Sequence, residues 1–231
     1  RLRRALSIAD APDSRAPMAT LAVGALALVM VGGHLYQLLT FDFPSGQFRN
    51  FHLGFAIAIG FLVLSETLAP EARLRRAGLW LAAGRVAAVS AYIHVEYQAL
   101  TQVRSFLPNT ADMVAASTLL LLALLLSGLQ WGWVIPVLAL AGLAYGYWGN
   151  HLPGEIFFHS GIAFQRLLAY TSIPYFQGLL GGLTSLSANT IFLFMLFGGA
   201  LKATGAIDFI VNVGFARSEE HTSELQSHAP I

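Results

Sequence analysis

Six long apolar runs dominate the chain and constrain its fold more than any other feature of the sequence. The runs cover residues 16–39, 51–69, 77–97, 111–130, 133–148 and 182–201. A helix needs about 20 apolar residues to cross the hydrocarbon layer, where only helices and closed barrels satisfy the backbone. The runs do not alternate polar and apolar residues as barrel strands do. The sequence therefore predicts an all-α, polytopic transmembrane protein with six spans.

Composition supports a membrane protein. Hydrophobic residues make up 56% of the chain and charged residues only 11%, whereas about a quarter of a soluble domain is charged. The lipid bilayer is thus the predicted surrounding, and the net charge of +1 gives no indication of nucleic-acid binding. The absence of cysteine excludes disulfides and thiolate metal sites.

The basic residues between the runs alternate in number and predict an orientation. Arginine and lysine favour cytoplasmic connections. The 1–15 arm and the connection after the second run are rich in arginine, whereas the connections after the first, third and fifth runs hold one arginine each. We therefore expect the N-terminus to be cytoplasmic. We also expect Lys202, which follows the sixth run, to lie on the cytoplasmic side. The single arginines of the opposite side are Arg49, Arg104 and Arg166.

Residues 111–148 need a break, because one helix of that length would measure about 57 Å. Ser127 and Gly128 supply one, and Trp131, Trp133 and Pro136 supply interface and turn residues. Two spans joined by a tight turn are predicted. Residues 150–181 are too polar to cross, and their apolar spacing around Arg166 suits either a short amphipathic surface helix or an irregular loop.

Charged residues within spans are costly and therefore become functional candidates. Glu66 lies near one end of the second run and Arg85 lies within the third. The two side chains are a candidate intramembrane ion pair across a helix hairpin. The alternative is that Arg85 extends along the helix to the nearby interface.

Three histidines, His34, His52 and His94, fall near the predicted outer ends of the first three spans. Axial ligands of a b-type haem come from facing helices in this way, so a membrane-bound haem or electron-transfer subunit is the alternative function. An interfacial position is also where a membrane protein tolerates a polar ring, and both interpretations remain open.

The sixth run opens with small polar side chains. They can line a polar path between helices, or they can cap and pack a helix. No catalytic nucleophile arrangement, phosphate loop or metal-spaced cluster stands out, and the sequence predicts no enzyme. The candidate helix-packing or polar-path residues are Ser185, Ser187, Asn189 and Thr190.

Three motifs stand out in the second half of the chain: YGYWGNHLPG at 145–154, FQRLLAY at 164–170 and LSANTIFLFMLFGGALKATGAIDFI at 186–210. They resemble segments of the fused permease of a tripartite ATP-independent periplasmic (TRAP) transporter, of the type that works with TAXI-class receptors. The resemblance covers the chain up to Ala216 in hydropathy and is specific in motif only from about Trp131. One departure is Lys202, with Leu201 and Ala203, where the family usually has an acidic residue.

The resemblance implies uptake of a small organic solute, usually driven by sodium, across the bacterial inner membrane. A periplasmic TAXI-type receptor would deliver the solute. Residues 16–130 would form a four-helix scaffold, 131–181 a connecting helix with an outer loop, and 182–216 the start of the large transport subunit. The remainder of that subunit would be a partner, and the fragment alone is expected to be inactive. No cofactor is implied besides the coupling ion.

The last segment, 217–231, is of another kind. It reads RSEEHTSELQSHAPI, a polar string without periodicity. It resembles a translated sequencing adapter, so we expect it to be an artefactual tail, and its histidines and carboxylates are given no functional role.

Overall fold

The computed structural model describes residues 17–69, 71–154, 156–213 and 215. The cytoplasmic arm predicted at 1–15 and the tail predicted at 217–231 lie outside this part. The described residues form helices and no β-strand, so the all-α prediction is confirmed. The α-helices are α1 (Pro17–Thr40), α2 (Ser45–Glu66), α3 (Arg73–Val95), α4 (Thr110–Trp131), α5 (Val134–Trp148), α6 (Phe164–Thr171), α7 (Gly182–Leu186) and α8 (Phe192–Ala203).

Two segments are π-helical, Ala99–Val103 and Ser187–Ile191. Such wide turns are rare and occur often at functional positions, because they change the direction of side chains within a helix. The second segment lies between α7 and α8 and contains Ser187, Asn189 and Thr190 of the predicted polar path.

Five helical segments in the described part are long and apolar enough to cross a membrane: α1, α2, α3, α4 and Gly178–Ala203. These helices suggest a membrane protein, with five candidate spans in the described part of the chain. The fifth predicted run forms α5, which has 15 residues. A helix of that length is about 22 Å long, shorter than the hydrocarbon layer of about 30 Å.

Local sequence explains where the helices begin and end. Asn109 and Asp112 form a capping box at the start of α4, each side chain bonding the other residue's backbone N–H. Helix α4 ends before Gly132, whose backbone φ of 100° is a conformation that favours glycine. At the far end of α2, Arg76 donates hydrogen bonds to the carbonyls of Leu68 and Ala69 at 3.0 and 3.3 Å.

Helix α2 is the central helix and packs against α1, α3, α4 and α7. Its Phe61 is fully buried with Val86 and Ile93 of α3 and Leu119 of α4. The outward faces carry large apolar side chains, such as Leu28 at 75% and Leu121 at 60% exposed. Because lipid is as apolar as these side chains, close packing and buried polar contacts hold the helices together.

The predicted surface helix of the 150–181 segment corresponds to α6. Leu168 and Ala169 are buried, whereas Phe164 and Arg166 are exposed, so the helix is partly buried and partly at the surface. The alternative of an irregular loop applies to residues 156–163, which precede α6 and are not helical.

Contacts divide the chain into two compact units, 1–188 and 189–231. The first unit contains α1 to α7 and the buried core. The second contains α8, whose last turn carries Lys202, and a further helical stretch at 206–213.

Candidate functional site

Buried polar side chains gather at the end of the first unit where α1 and α3 finish and α2 and α4 begin. We call this the network end. His34, Asn50, His52 and Asp112 are each no more than 6% exposed. Burying such groups is costly unless they are hydrogen-bonded, and within membrane spans they mark functional positions.

A hydrogen-bonded chain links His34, His52 and Ser187. The Nε2 atom of His34 lies 3.0 Å from Nδ1 of His52. On the other side of His52, Nε2 lies 3.0 Å from the hydroxyl oxygen of Ser187. The Nδ1 atom of His34 lies 2.7 Å from the carbonyl oxygen of Met30, one helical turn earlier in α1. The chain thus connects α1, α2 and the start of the second π-helical segment.

The Met30 carbonyl fixes the direction of every bond in this chain. A carbonyl only accepts, so Nδ1 of His34 carries a proton and donates it. A neutral His34 then accepts at Nε2, which makes Nδ1 of His52 a donor. A neutral His52 accepts at Nε2 in turn, so the Ser187 hydroxyl donates to it. Both rings therefore carry their proton on Nδ1 in the neutral state.

Aromatic side chains enclose the histidine pair. The His34 ring meets Phe48 edge-on, with centroids 5.0 Å apart, and Phe51 at 5.8 Å. Gly33 leaves room for Phe51, because a Cβ at this position would lie 2.7 Å from the ring's Cε1. The surroundings are thus largely apolar, which strengthens the hydrogen bonds within the chain.

A second polar contact joins α2 to α3. The Asn50 side-chain amide donates to the Ser90 carbonyl at 2.8 Å, and the Ser90 hydroxyl donates to the Asn50 carbonyl at 3.2 Å. Gln47 donates to the carbonyl of His94 at 3.0 Å. Together these bonds satisfy a buried amide and set the register of the two helices.

An ion network forms at the surface of the network end. Arg104 donates to both oxygens of Asp112, at 2.9 and 3.1 Å, and to Glu96 at 2.8 Å. Asp112 also accepts the Tyr92 hydroxyl at 2.6 Å and the backbone N–H of Asn109 at 2.9 Å. The hydrogen bonds to Glu96 and Asp112 raise the pKa of Arg104. This network fastens the 96–109 connection between α3 and α4.

A polar depression of about 440 Å³ opens at the same end. Its lining differs from the apolar helix faces, because it combines a carboxylate, an imidazole and several amides. The residues that carry these groups are Asp42, Gln47, His94, Gln98 and Gln102.

The predicted pair of Glu66 and Arg85 is not formed. The ion pairs within the described residues belong to Arg104, and Oε1 of Glu66 is buried without a hydrogen bond. The register explains this, because Arg76 bonds the backbone of Ser65 at 3.4 Å and so lies level with Glu66. Arg85 is nine residues further along α3, about 13 Å away along the axis.

Of the predicted polar-path residues, Ser187 lies against a buried ionisable group, with its hydroxyl oxygen 3.0 Å from Nε2 of His52. Ser185 precedes it in α7 and is half-buried. Asn189 and Thr190 belong to the second unit, where both are exposed.

The haem alternative requires a planar macrocycle between two axial histidines. His34 and His52 do not fit that role, because their ring nitrogens contact each other directly and leave no space for iron. The His94 ring instead packs against Phe43, with centroids 5.7 Å apart. The described residues also contain no group of three or more histidines, cysteines or carboxylates that could hold a metal ion.

Sequence reasoning missed Asp112 as a network residue. A signal was present, since Asn109 followed by Asp112 before an apolar run is typical of a capping box. The contact between His52 and Ser187 has no comparable signal, because 135 positions separate the two residues.

Comparison with known proteins yields no match. No family model, curated protein or solved structure is significantly similar to this chain.

Proposed function

We propose that this chain is a membrane component of an ion-coupled secondary transporter of the TRAP type. The observation that carries the proposal is the buried chain of His34, His52 and Ser187. Ionisable groups inside a helical membrane unit mark ion or substrate pathways. Interrupted helices at such positions are typical of secondary transporters, and Ser187 begins a π-helical interruption.

In this proposal the chain crosses the bacterial inner membrane six times with a cytoplasmic N-terminus. The network end then faces the periplasm. Arg73, Arg75 and Arg76 lie at the opposite end of the helices, and the positive-inside rule favours the cytoplasm for them. Helix α5 is shorter than the hydrocarbon layer. The bilayer would become thinner around it, or the residues that flank α5 would extend to the interface.

Helices α1 to α4 would serve as the fixed scaffold. The connecting helix α5 and the surface helix α6 would lead to the large transport subunit, which begins near Gly182. A TAXI-type receptor would approach the network end, where the polar depression offers hydrogen-bonding groups to a soluble partner. Sodium would be the coupling ion, and the solute would be a small organic molecule.

The genomic DNA sequence tests the family assignment. We expect the genomic reading frame to continue past the codon for Ala216 for several hundred residues, including two re-entrant segments rich in glycine, serine and asparagine. A stop codon close behind Ala216 in genomic DNA would remove the main support for a TRAP permease. Radioactive sodium binding to the protein made from the genomic reading frame then tests the coupling ion.

Optical spectroscopy separates the transporter from the haem alternative. We expect no b-type band in the dithionite-reduced spectrum of the purified protein. A band that disappears in His34→Ala or His94→Ala would contradict the transporter proposal, and His159→Ala serves as a control because His159 packs on Tyr145, away from the histidine pair.

A further inference from the structure

The histidine chain has a polarity that a pair of independent histidines would lack. Its far end is the Met30 carbonyl, a backbone group that accepts a hydrogen bond but takes no proton. Its near end is the Ser187 hydroxyl, which can donate or accept. A proton can thus reach the imidazoles from the Ser187 side and has no exit beyond His34 through this chain.

We propose that His34, His52 and Ser187 form an intramembrane binding site for a single proton, which enters at Ser187. The ligand is H⁺ drawn from water. The inference rests on the geometry of these side chains and is independent of the transporter assignment.

The transfer balances in two steps. An added proton bonds to Nε2 of His52, and the Ser187 hydroxyl turns from donor to acceptor. The proton on Nδ1 of His52 then moves across the 3.0 Å gap to Nε2 of His34. His34 becomes the imidazolium, donating to Met30 and to His52, while His52 is again neutral with its proton on Nε2. The site gains one positive charge.

A second proton is excluded by the same contact. With both rings charged, Nε2 of His34 and Nδ1 of His52 would each carry a proton and face each other at 3.0 Å. The hydrogen bond would be replaced by repulsion between like charges in a low-dielectric interior. The two histidines therefore titrate as one site and not as two.

Other ionisable groups of the surrounding helices have their own positions and partners. On α2, Arg49 bonds the Ser45 carbonyl and Glu66 lies at the opposite end. On α4, Asp112 is bonded by Arg104. On α3, Arg73, Arg75 and Arg76 lie at the beginning, Arg85 is exposed, and Tyr92 and His94 lie at the network end, where Tyr92 donates to Asp112. Helix α1 contributes Tyr36, which donates to Asp42. Residues 178–188 carry no titratable side chain.

Proton uptake by the full chain in lipid nanodiscs tests the proposal. Uptake is measured with a pH indicator between about pH 8 and about pH 4, which includes the interval of about pH 5–8 in which an ordinary histidine changes charge. We expect the double variant His34→Gln, His52→Gln to take up one proton fewer than the unaltered chain. A deficit of two protons, or no deficit, would overturn the single-proton site. The matched control is the His94→Gln background, which leaves the contact between His34 and His52 in place, so the double variant should show the same deficit of one proton there.

Magnetic resonance of isotope-labelled histidine rings gives a test that needs no folded double variant. At neutral pH we expect both His34 and His52 to carry their proton on Nδ1, and the two rings to change together at one midpoint on acidification. Assignment uses single His→Gln variants. A proton on Nε2 of His34 at neutral pH, or two separate midpoints, would refute the proposed direction of the chain.

Discussion

Replacing Asp112 by alanine tests how much the ion network stabilises the α3–α4 connection. Asp112 is 0% exposed and accepts hydrogen bonds from Tyr92 at 2.6 Å, from Arg104 at 2.9 and 3.1 Å, and from Asn109 at 2.9 Å. Alanine offers no acceptor to any of these groups. The variant therefore removes the centre of the network while leaving its other members in place.

The expected loss can be built up from these bonds. The capping box at Asn109 contributes about 1 kcal/mol, and the Tyr92 hydroxyl loses a charge-assisted bond of about 1.5 kcal/mol. Arg104 keeps Glu96 and its side chain is 22% exposed, so losing its bond to Asp112 costs about 0.5–1 kcal/mol, well below the cost of breaking a fully buried ion pair. We expect the free energy of unfolding to fall by about 3 kcal/mol.

Titration with sodium dodecyl sulfate in mixed micelles, followed by far-ultraviolet circular dichroism, measures this loss. Asp42→Ala is the matched control, because Asp42 is an exposed carboxylate at the same end that accepts from Tyr36. Exposed contacts of this kind contribute about 1 kcal/mol or less. Equal unfolding free energies for Asp112→Ala and Asp42→Ala would refute the view that the network holds the connection.

Two further predictions concern packing and orientation. Gly54→Ala should destabilise the protein by about 1–3 kcal/mol in the same titration, because its Cβ would lie 2.7 Å from the Cβ of Ser90. Gly84→Ala, where a Cβ meets nothing within 4 Å, should be neutral, and equal losses would contradict the close approach of α2 and α3. A cysteine at the exposed Phe106 should react with an impermeant thiol reagent added outside cells, and one at the exposed Leu74 should not. The reverse labelling pattern would refute the proposed orientation.

The helices themselves could be predicted, because apolar length and turn residues are local properties. The break inside residues 111–148 is an example: Trp131, Gly132 and Trp133 lie where α4 ends and α5 begins. Helix boundaries were less predictable. The second predicted run began at 51, whereas α2 begins at Ser45, because Gln47 and Asn50 are polar residues that the fold buries against α3.

An ion pair between neighbouring helices needs two residues at the same level along the helix axes. The predicted pair of Glu66 and Arg85 did not take this register into account. The contacts of Gln47 with His94 and of Asn50 with Ser90 show that α2 and α3 are antiparallel, so that later residues of α2 lie beside earlier residues of α3. Glu66 therefore belongs near the beginning of α3. Counting from a hairpin turn would have excluded the pair.

The same counting shows which half of the candidate site was within reach of the sequence. His34 and His52 are each nine residues from Phe43, which lies in the turn between α1 and α2, so an antiparallel hairpin places them at equal depth. Their equal depth makes a direct contact possible and argues against a haem held between them. The third member, Ser187, joins them through tertiary packing of α7 on α2, which no local pattern encodes. The polarity of the chain, and with it the capacity for one proton, therefore follows only from the folded arrangement.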